Sequence, residues 1–153
     1  MSKIDLDVLR ASDLSGRALR QRAMEMLDAL AGYDWSGIYR LEAGTLVLDA
    51  YVGAETDHTH IAVGVGVCGT AVAENANQVI DDVRNLSNYL ACSTQTRSEI
   101  VVLIRRGDEV LGQIDIDGHE VGRFTVEDET HLEELAALLA QRWDEPAAPF
   151  PSV

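Results

Sequence analysis

Two thiols and a pair of closely spaced carboxylates are the side chains of this sequence most suited to chemistry. Cys68 lies in GVGVCGTAV, crowded by Gly64, Gly66 and Gly69. Glycine adopts positive φ freely, so the backbone here can turn sharply and approach a ligand closely. Helix-compatible residues follow from Thr70 to Glu74, and a glycine loop that opens a helix leaves N–H groups unpaired and aimed outward. Such a terminus suits an anionic group and favours the thiolate form of Cys68. Cys92 lies in a long loop, Arg84 to Arg97, of the kind that serves as a lid or a binding loop. Asp115 and Asp117 are two residues apart in VLGQIDID. On a strand that spacing puts both carboxylates on the face shared with Gln113, while Ile114 and Ile116 point into the opposite layer.

The elements that must position these groups follow from periodicity and turn chemistry. Leu19, Ala23, Leu27 and Leu30 form an apolar helical face that Gly32 closes. Trp35 to Leu41 and Thr45 to Val52 read as strands joined by Glu42-Ala43-Gly44, a hairpin. Trp35, Gly37 and Tyr39 share one face of the first strand; the two aromatics suit either a core or a pocket wall. A polar loop, Gly53 to Thr59, precedes the glycine motif, and Gln78 to Val83 reads as a further short strand. Ser98 to Arg105 and Val110 to Asp117 make a second hairpin about Arg106-Gly107-Asp108-Glu109. Thr125 and Asp128 form a capping box that opens a last helix through Trp143, with Leu132, Leu135, Leu139 and Arg142 along one side. The acidic residues of that helix, Glu127, Asp128, Glu129, Glu133 and Glu134, read as a solvated face, and His119 and His131 as surface residues. Helix, hairpin, central loops, hairpin and helix predict an α+β domain, an antiparallel sheet with the terminal helices on one side. It spans residues 1–145 as one domain, with a Pro-rich C-terminal tail at 146–153.

Composition limits what this domain does. Twenty-six acidic against twelve basic residues give a formal charge of −14 over 153 residues. That charge repels nucleic-acid phosphates and anionic lipid, so neither nucleic acid nor a membrane is an expected partner. The N-terminus is charged, no run spans a bilayer, and the two cysteines are too few for a disulfide framework; a soluble, cytoplasmic protein is expected. His58 and His60 would face one way on a strand and could join Cys68 as a soft ligand set for zinc. His-x-His without a paired Cys-x-x-Cys is a weak signature, and no metal or cofactor is assigned.

The order WSGIY, GVGVCGTAV, VIDDV, ACSTQTRSEIVV and GQIDIDG resembles the GAF domain of the free methionine-(R)-sulfoxide reductase family, over about Trp35 to Asp117. The resemblance implies a GAF-like sheet with a ligand pocket under loops on the side away from the helices. It implies Cys92 as the nucleophile, with Cys68 at the helix start, and it implies Glu99, Asp115 and Asp117 as the groups that hold the substrate. Trp35 and Tyr39 match the aromatic wall around the substrate's methyl end. It further implies a homodimer, and thioredoxin or a small thiol as reductant. The sequence departs from the pattern ten residues before Cys68, where a third cysteine is common and His58 stands instead. It departs also at Tyr89, where histidine is common, and at Ser93, where aspartate is frequent. The alternative function is a non-catalytic GAF module that binds a small ligand or senses redox state.

The chemistry that the resemblance implies needs a thiolate to attack sulfur while an acid protonates the departing oxygen. Crowded carboxylates repel, so one of Glu99, Asp115 and Asp117 is expected to keep its proton. Glu99 is assigned as that acid, with the aspartates facing the substrate's ammonium group. The cysteine sulfenic acid left on Cys92 is then resolved by a second thiol, Cys68 or an external one.

Overall fold

A computed structural model describes residues 3–87, 89 and 94–146. Cys92, Ser93 and the tail from residue 147 lie outside the described residues. Among the described residues six strands, β1 (Trp35–Glu42), β2 (Thr45–Val52), β3 (His60–Ala62), β4 (Gln78–Ile80), β5 (Ser98–Arg106) and β6 (Glu109–Gly118), form one sheet. They pair antiparallel in the order β3-β2-β1-β6-β5-β4. Among the same described residues four α-helices accompany them: α1 (Leu6–Ala11), α2 (Gly16–Asp28), α3 (Gly66–Glu74) and α4 (Val126–Gln141).

The two hairpins form where the turn residues demand. Ala43 and Gly44 both take positive φ, 47° and 82°, a conformation whose twist matches that of the flanking strands. Alternation along the long strands then separates two apolar layers. Ile38, Ile100, Val102, Ile104, Ile114 and Ile116 pack against Leu19, Ala23 and Leu27 of α2 and Leu132, Leu135 and Leu139 of α4. On the other face Trp35, Tyr39, Val101 and Leu103 pack with Val67, Cys68 and Ala71 of α3. The terminal helices therefore share one side of the sheet, as expected, and α3 takes the other.

Several local expectations are corrected. The strand expected over Gln78 to Val83 stops at Ile80, and Val83–Asn85 is a 3-10 turn capped by Asp82, whose side chain accepts from the Arg84 N–H. α4 ends at Gln141. Arg142 caps it and turns away, donating to the carbonyls of Leu9, Arg10 and Ser12 and so anchoring α1, which periodicity does not announce. His131 is buried, and its Nε2 accepts from the Ile4 N–H at 3.1 Å.

Asp128, expected on the solvated face of α4, is buried as well. It is 3% exposed and accepts from the Tyr33 hydroxyl at 2.6 Å, from the Thr125 N–H and from Arg123. Burial pushes its carboxyl pKa upward, but these donors outweigh burial and hold it below the usual carboxylate range. A depressed folded pKa contributes stability above the unfolded value of about 3.9, lost as pH falls through the lower folded value. Asp128→Ala removes the cap and strands the Tyr33 hydroxyl. It is expected to lower unfolding free energy near neutral pH by about 2–3 kcal/mol in urea titration, and by less at acid pH. A loss that does not shrink on acidification would contradict the charged role.

Candidate active site

The register of the three central strands brings the expected site residues into rows. Trp35 lies opposite Asp117, and Asp117 opposite Glu99. Gly37 pairs with Asp115 and Asp115 with Val101, while Tyr39 pairs with Gln113 and Gln113 with Leu103. Because side chains alternate with period two, these residues share the face that α3 covers. Glu99, Asp115 and Asp117 are 4%, 0% and 2% exposed. They are not solvated strand carboxylates.

Glycine geometry sets Cys68 above this row. Gly64 and Gly66 take φ of 92° and 64°, turning the chain from β3 into α3. A Cβ on Gly69 would lie 2.5 Å from the Ala62 carbonyl oxygen, so only glycine lets the helix seat so closely. Gln113 Nε2 donates to the Cys68 carbonyl at 3.0 Å, locking the first turn of α3 to β6. The Cys68 thiol then reaches Glu99 Oε2 at 3.9 Å. Its Sγ, a Glu99 oxygen and an Asp115 oxygen all lie within 4.8 Å of one another.

Two aromatics of β1 hold the 53–59 loop beside the cluster. The Trp35 indole N–H donates to the Ala54 carbonyl at 2.9 Å and its ring stacks on Tyr51 at 5.7 Å between centroids. Gly37 makes room for that ring, since a Cβ there would sit 2.3 Å from it. Trp35 and Asp117, with Ala54 and Thr96, line a small cavity of about 110 Å³. Tyr39 is fully buried and donates its hydroxyl to the His58 carbonyl at 2.8 Å. That bond uses the main chain of residue 58, so it holds the loop whatever the side chain.

The electrostatics correct one expectation. α3 does begin at Gly66, yet Cys68 is not poised as a thiolate. Burial raises the thiol's pKa most, and the charges of Asp115, Glu99 and Asp117 raise it further. Three carboxylates outweigh one short helix's partial charge. Burial also pushes Asp117 well above the ordinary carboxylate range, with the Asp115 charge adding to it. Asp115 is raised by burial too, against which sharing a proton with Glu99 and Cys68 pulls downward. Beyond these contacts within the cluster itself, to Glu99 and the Cys68 thiol, none of the four oxygens of Asp115 and Asp117 has a hydrogen-bond donor among the described residues. Burying unpaired charge is costly, so the cluster either keeps protons or accepts a cationic ligand that donates hydrogen bonds.

The structure thus brings Cys68, Glu99, Asp115, Asp117 and Trp35 together, with Tyr39 supporting the loop beside them. Cys92 lies outside the described residues. His58 and His60 do not join Cys68: among the described residues the close ligand group is Cys68, Glu99 and Asp115. Gln113 and Gly37 do more than share the aromatic and carboxylate face. That placement is readable from alternation, but a hydrogen bond to a helix carbonyl and a ring seated over a glycine are not.

The sequence matches the GAF domain family over residues 16–143. It is 40% identical over 136 residues to the free methionine-R-sulfoxide reductase of Escherichia coli K12, an alignment covering 88% of this chain and 82% of that protein. Among solved structures it resembles the type II free methionine-R-sulfoxide reductase from Thermoplasma acidophilum, with a TM-score of 0.79 and 43% identity, over 82% of this chain and 89% of that one. It also resembles the free methionine-R-sulfoxide reductase from Neisseria meningitidis in complex with its substrate, with a TM-score of 0.83 and 31% identity, covering 90% of this chain and 82% of that one.

Proposed function

This chain belongs to the GAF-domain family of free methionine-R-sulfoxide reductases, and we propose that it reduces free methionine-(R)-sulfoxide with Cys92 as the attacking thiol. The observation that supports the site is the buried carboxylate cluster, whose Asp115 and Asp117 oxygens have no donor from outside the cluster among the described residues. An amino acid's ammonium group supplies three N–H donors and a positive charge, which matches that deficit. A residue inside a polypeptide has no ammonium, so the same cluster selects the free amino acid. Trp35, stacked and hydrogen-bonded beside Asp117, offers an apolar wall to the methyl end.

The Cys92 thiolate attacks the sulfoxide sulfur, the S–O bond breaks, and oxygen passes to Cys92 as a sulfenic acid while methionine leaves. Glu99 provides the proton for the oxygen, drawn from the protons the carboxylate cluster retains. A second thiol then condenses with the sulfenic acid, forming a disulfide and water. Cys68 is the resolving thiol in this reading, and a thioredoxin or a small thiol restores the reduced state. A cytoplasmic homodimer is part of the same proposal. So is a single domain over 1–145 followed by a tail.

Asp115→Asn and Asp117→Asn test the assignment. A carboxylate that grips only the ammonium contributes equally to the ground and transition states, so each variant is expected to raise KM about tenfold or more with a smaller change in kcat. Steady-state methionine formation measures both. Unchanged ligand affinity by calorimetry in both variants would make the aspartates structural.

A further inference from the structure

We propose that the reduced protein also binds a thiophilic divalent cation of the zinc class at Cys68, Glu99 and Asp115, in competition with the amino-acid ligand. The three donor atoms already lie within 4.8 Å of one another, and the thiol stands 3.9 Å from Glu99 Oε2. Bonds of about 2.3 Å to sulfur and 2.0–2.2 Å to oxygen put the ligands of a tetrahedral ion roughly 3.3–3.7 Å apart. Closing the triangle therefore takes side-chain shifts of about 1 Å, less than one rotamer change. The main chain beneath the thiol is held by the Gln113 Nε2 bond to the Cys68 carbonyl at 3.0 Å.

A second observation points to a cation independently of this triangle. Asp117 pairs with Glu99 across the ladder, is 2% exposed, and has no donor to either carboxylate oxygen from outside the carboxylate cluster among the described residues. It supplies a further anionic oxygen on the same face, and a doubly charged ion answers more of the cluster's charge than one ammonium does. The donor set decides the class of ion. One sulfur and two or three carboxylates suit zinc, cobalt or cadmium, whereas magnesium and calcium take six or more oxygens and no thiolate. Binding exchanges the thiol proton for a metal–sulfur bond, and the proton leaves to solvent. Cys92 is not required.

The competition alone rests on the function proposed above; the cation site does not. Cobalt(II) is titrated into reduced wild type and followed by the near-ultraviolet sulfur-to-cobalt charge-transfer absorption, with zinc measured by calorimetry. The expected result is saturable binding in wild type and Cys92→Ser, loss of the absorption in Cys68→Ser, and an affinity at least about tenfold weaker in Asp115→Asn. Should Cys68→Ser fail to fold, by circular dichroism, the Asp115→Asn result decides. No charge-transfer band in wild type, a band that survives Cys68→Ser, or equally tight magnesium binding would overturn the site. Free methionine-(R)-sulfoxide is expected to lower the apparent zinc affinity. Cobalt binding with no effect of the sulfoxide would overturn the shared site, whereas cobalt binding in a protein with no reductase activity would leave the cation site standing and remove the enzymatic reading.

Discussion

Cys92→Ser is expected to abolish methionine formation, by more than about 10³-fold, while Cys68→Ser still completes a first turnover. The nucleophile is needed for the attack on sulfur, and a resolving thiol only for regenerating the enzyme afterwards. The structure adds a physical reason for this division. Cys68 is 5% exposed and its pKa is pushed upward by burial and by three carboxylates, so at neutral pH it is a thiol. A buried thiol is a poor first nucleophile. It can still condense with a sulfenic acid brought close to it, since that step forms water and a disulfide. Rapid mixing of reduced protein with excess free methionine-(R)-sulfoxide, with no external reductant, gives the single-turnover yield. Equal loss of that yield in both variants would reverse the assignment.

Glu99→Gln is expected to lower kcat by about 10²-fold or more, the range that loss of a positioned general acid produces, with a smaller effect on KM. The substitution has a second consequence. The carboxylate cluster shares its retained protons, and the part of its negative charge that Glu99 carries raises the Cys68 thiol's pKa, so removing that charge stabilises the thiolate. In a Cys92→Ser background, the pH at which Cys68 alkylation by iodoacetamide accelerates is therefore expected to fall when Glu99 becomes Gln. A merely structural Glu99 would not couple the two readouts. Unchanged kcat together with an unchanged alkylation profile would remove Glu99 from the site.

Much of the frame is legible in the sequence because it rests on local rules. Glu42-Ala43-Gly44 and Arg106-Gly107-Asp108-Glu109 announce hairpins, and QIDID alternates so regularly that Gln113, Asp115 and Asp117 fall on one face with Ile114 and Ile116 on the other. Once those strands pair, the register lines up Trp35, Asp117 and Glu99 without further information. The illegible parts depend on contacts made only in the folded chain. The six residues of α1 are too few to be helical alone, and they are held by Arg142 from the far end of the chain. β3 and β4, three residues each, are too short to show a period. Asp128 and His131 read as polar surface because no pattern reveals that Tyr33 and Ile4 will bond to them. The Cys68 thiol illustrates the same limit in electrostatics. Its glycine loop and helix start are visible and favour a thiolate, while the opposing carboxylates arrive from β5 and β6, far along the chain.

A thiol that attacks sulfur in a substrate held by its ammonium group must distinguish free from N-blocked sulfoxide. The reduced protein is incubated with dithiothreitol and, separately, free methionine-(R)-sulfoxide, free methionine-(S)-sulfoxide and N-acetylmethionine-(R)-sulfoxide, and the reduced product is quantified by chromatography. The expected result is methionine from the free R epimer, with little product from the S epimer or from the acetylated compound, which cannot carry the ammonium charge. Turnover of the acetylated substrate at the same rate as the free one, or no methionine from the free R epimer, would contradict this mechanism.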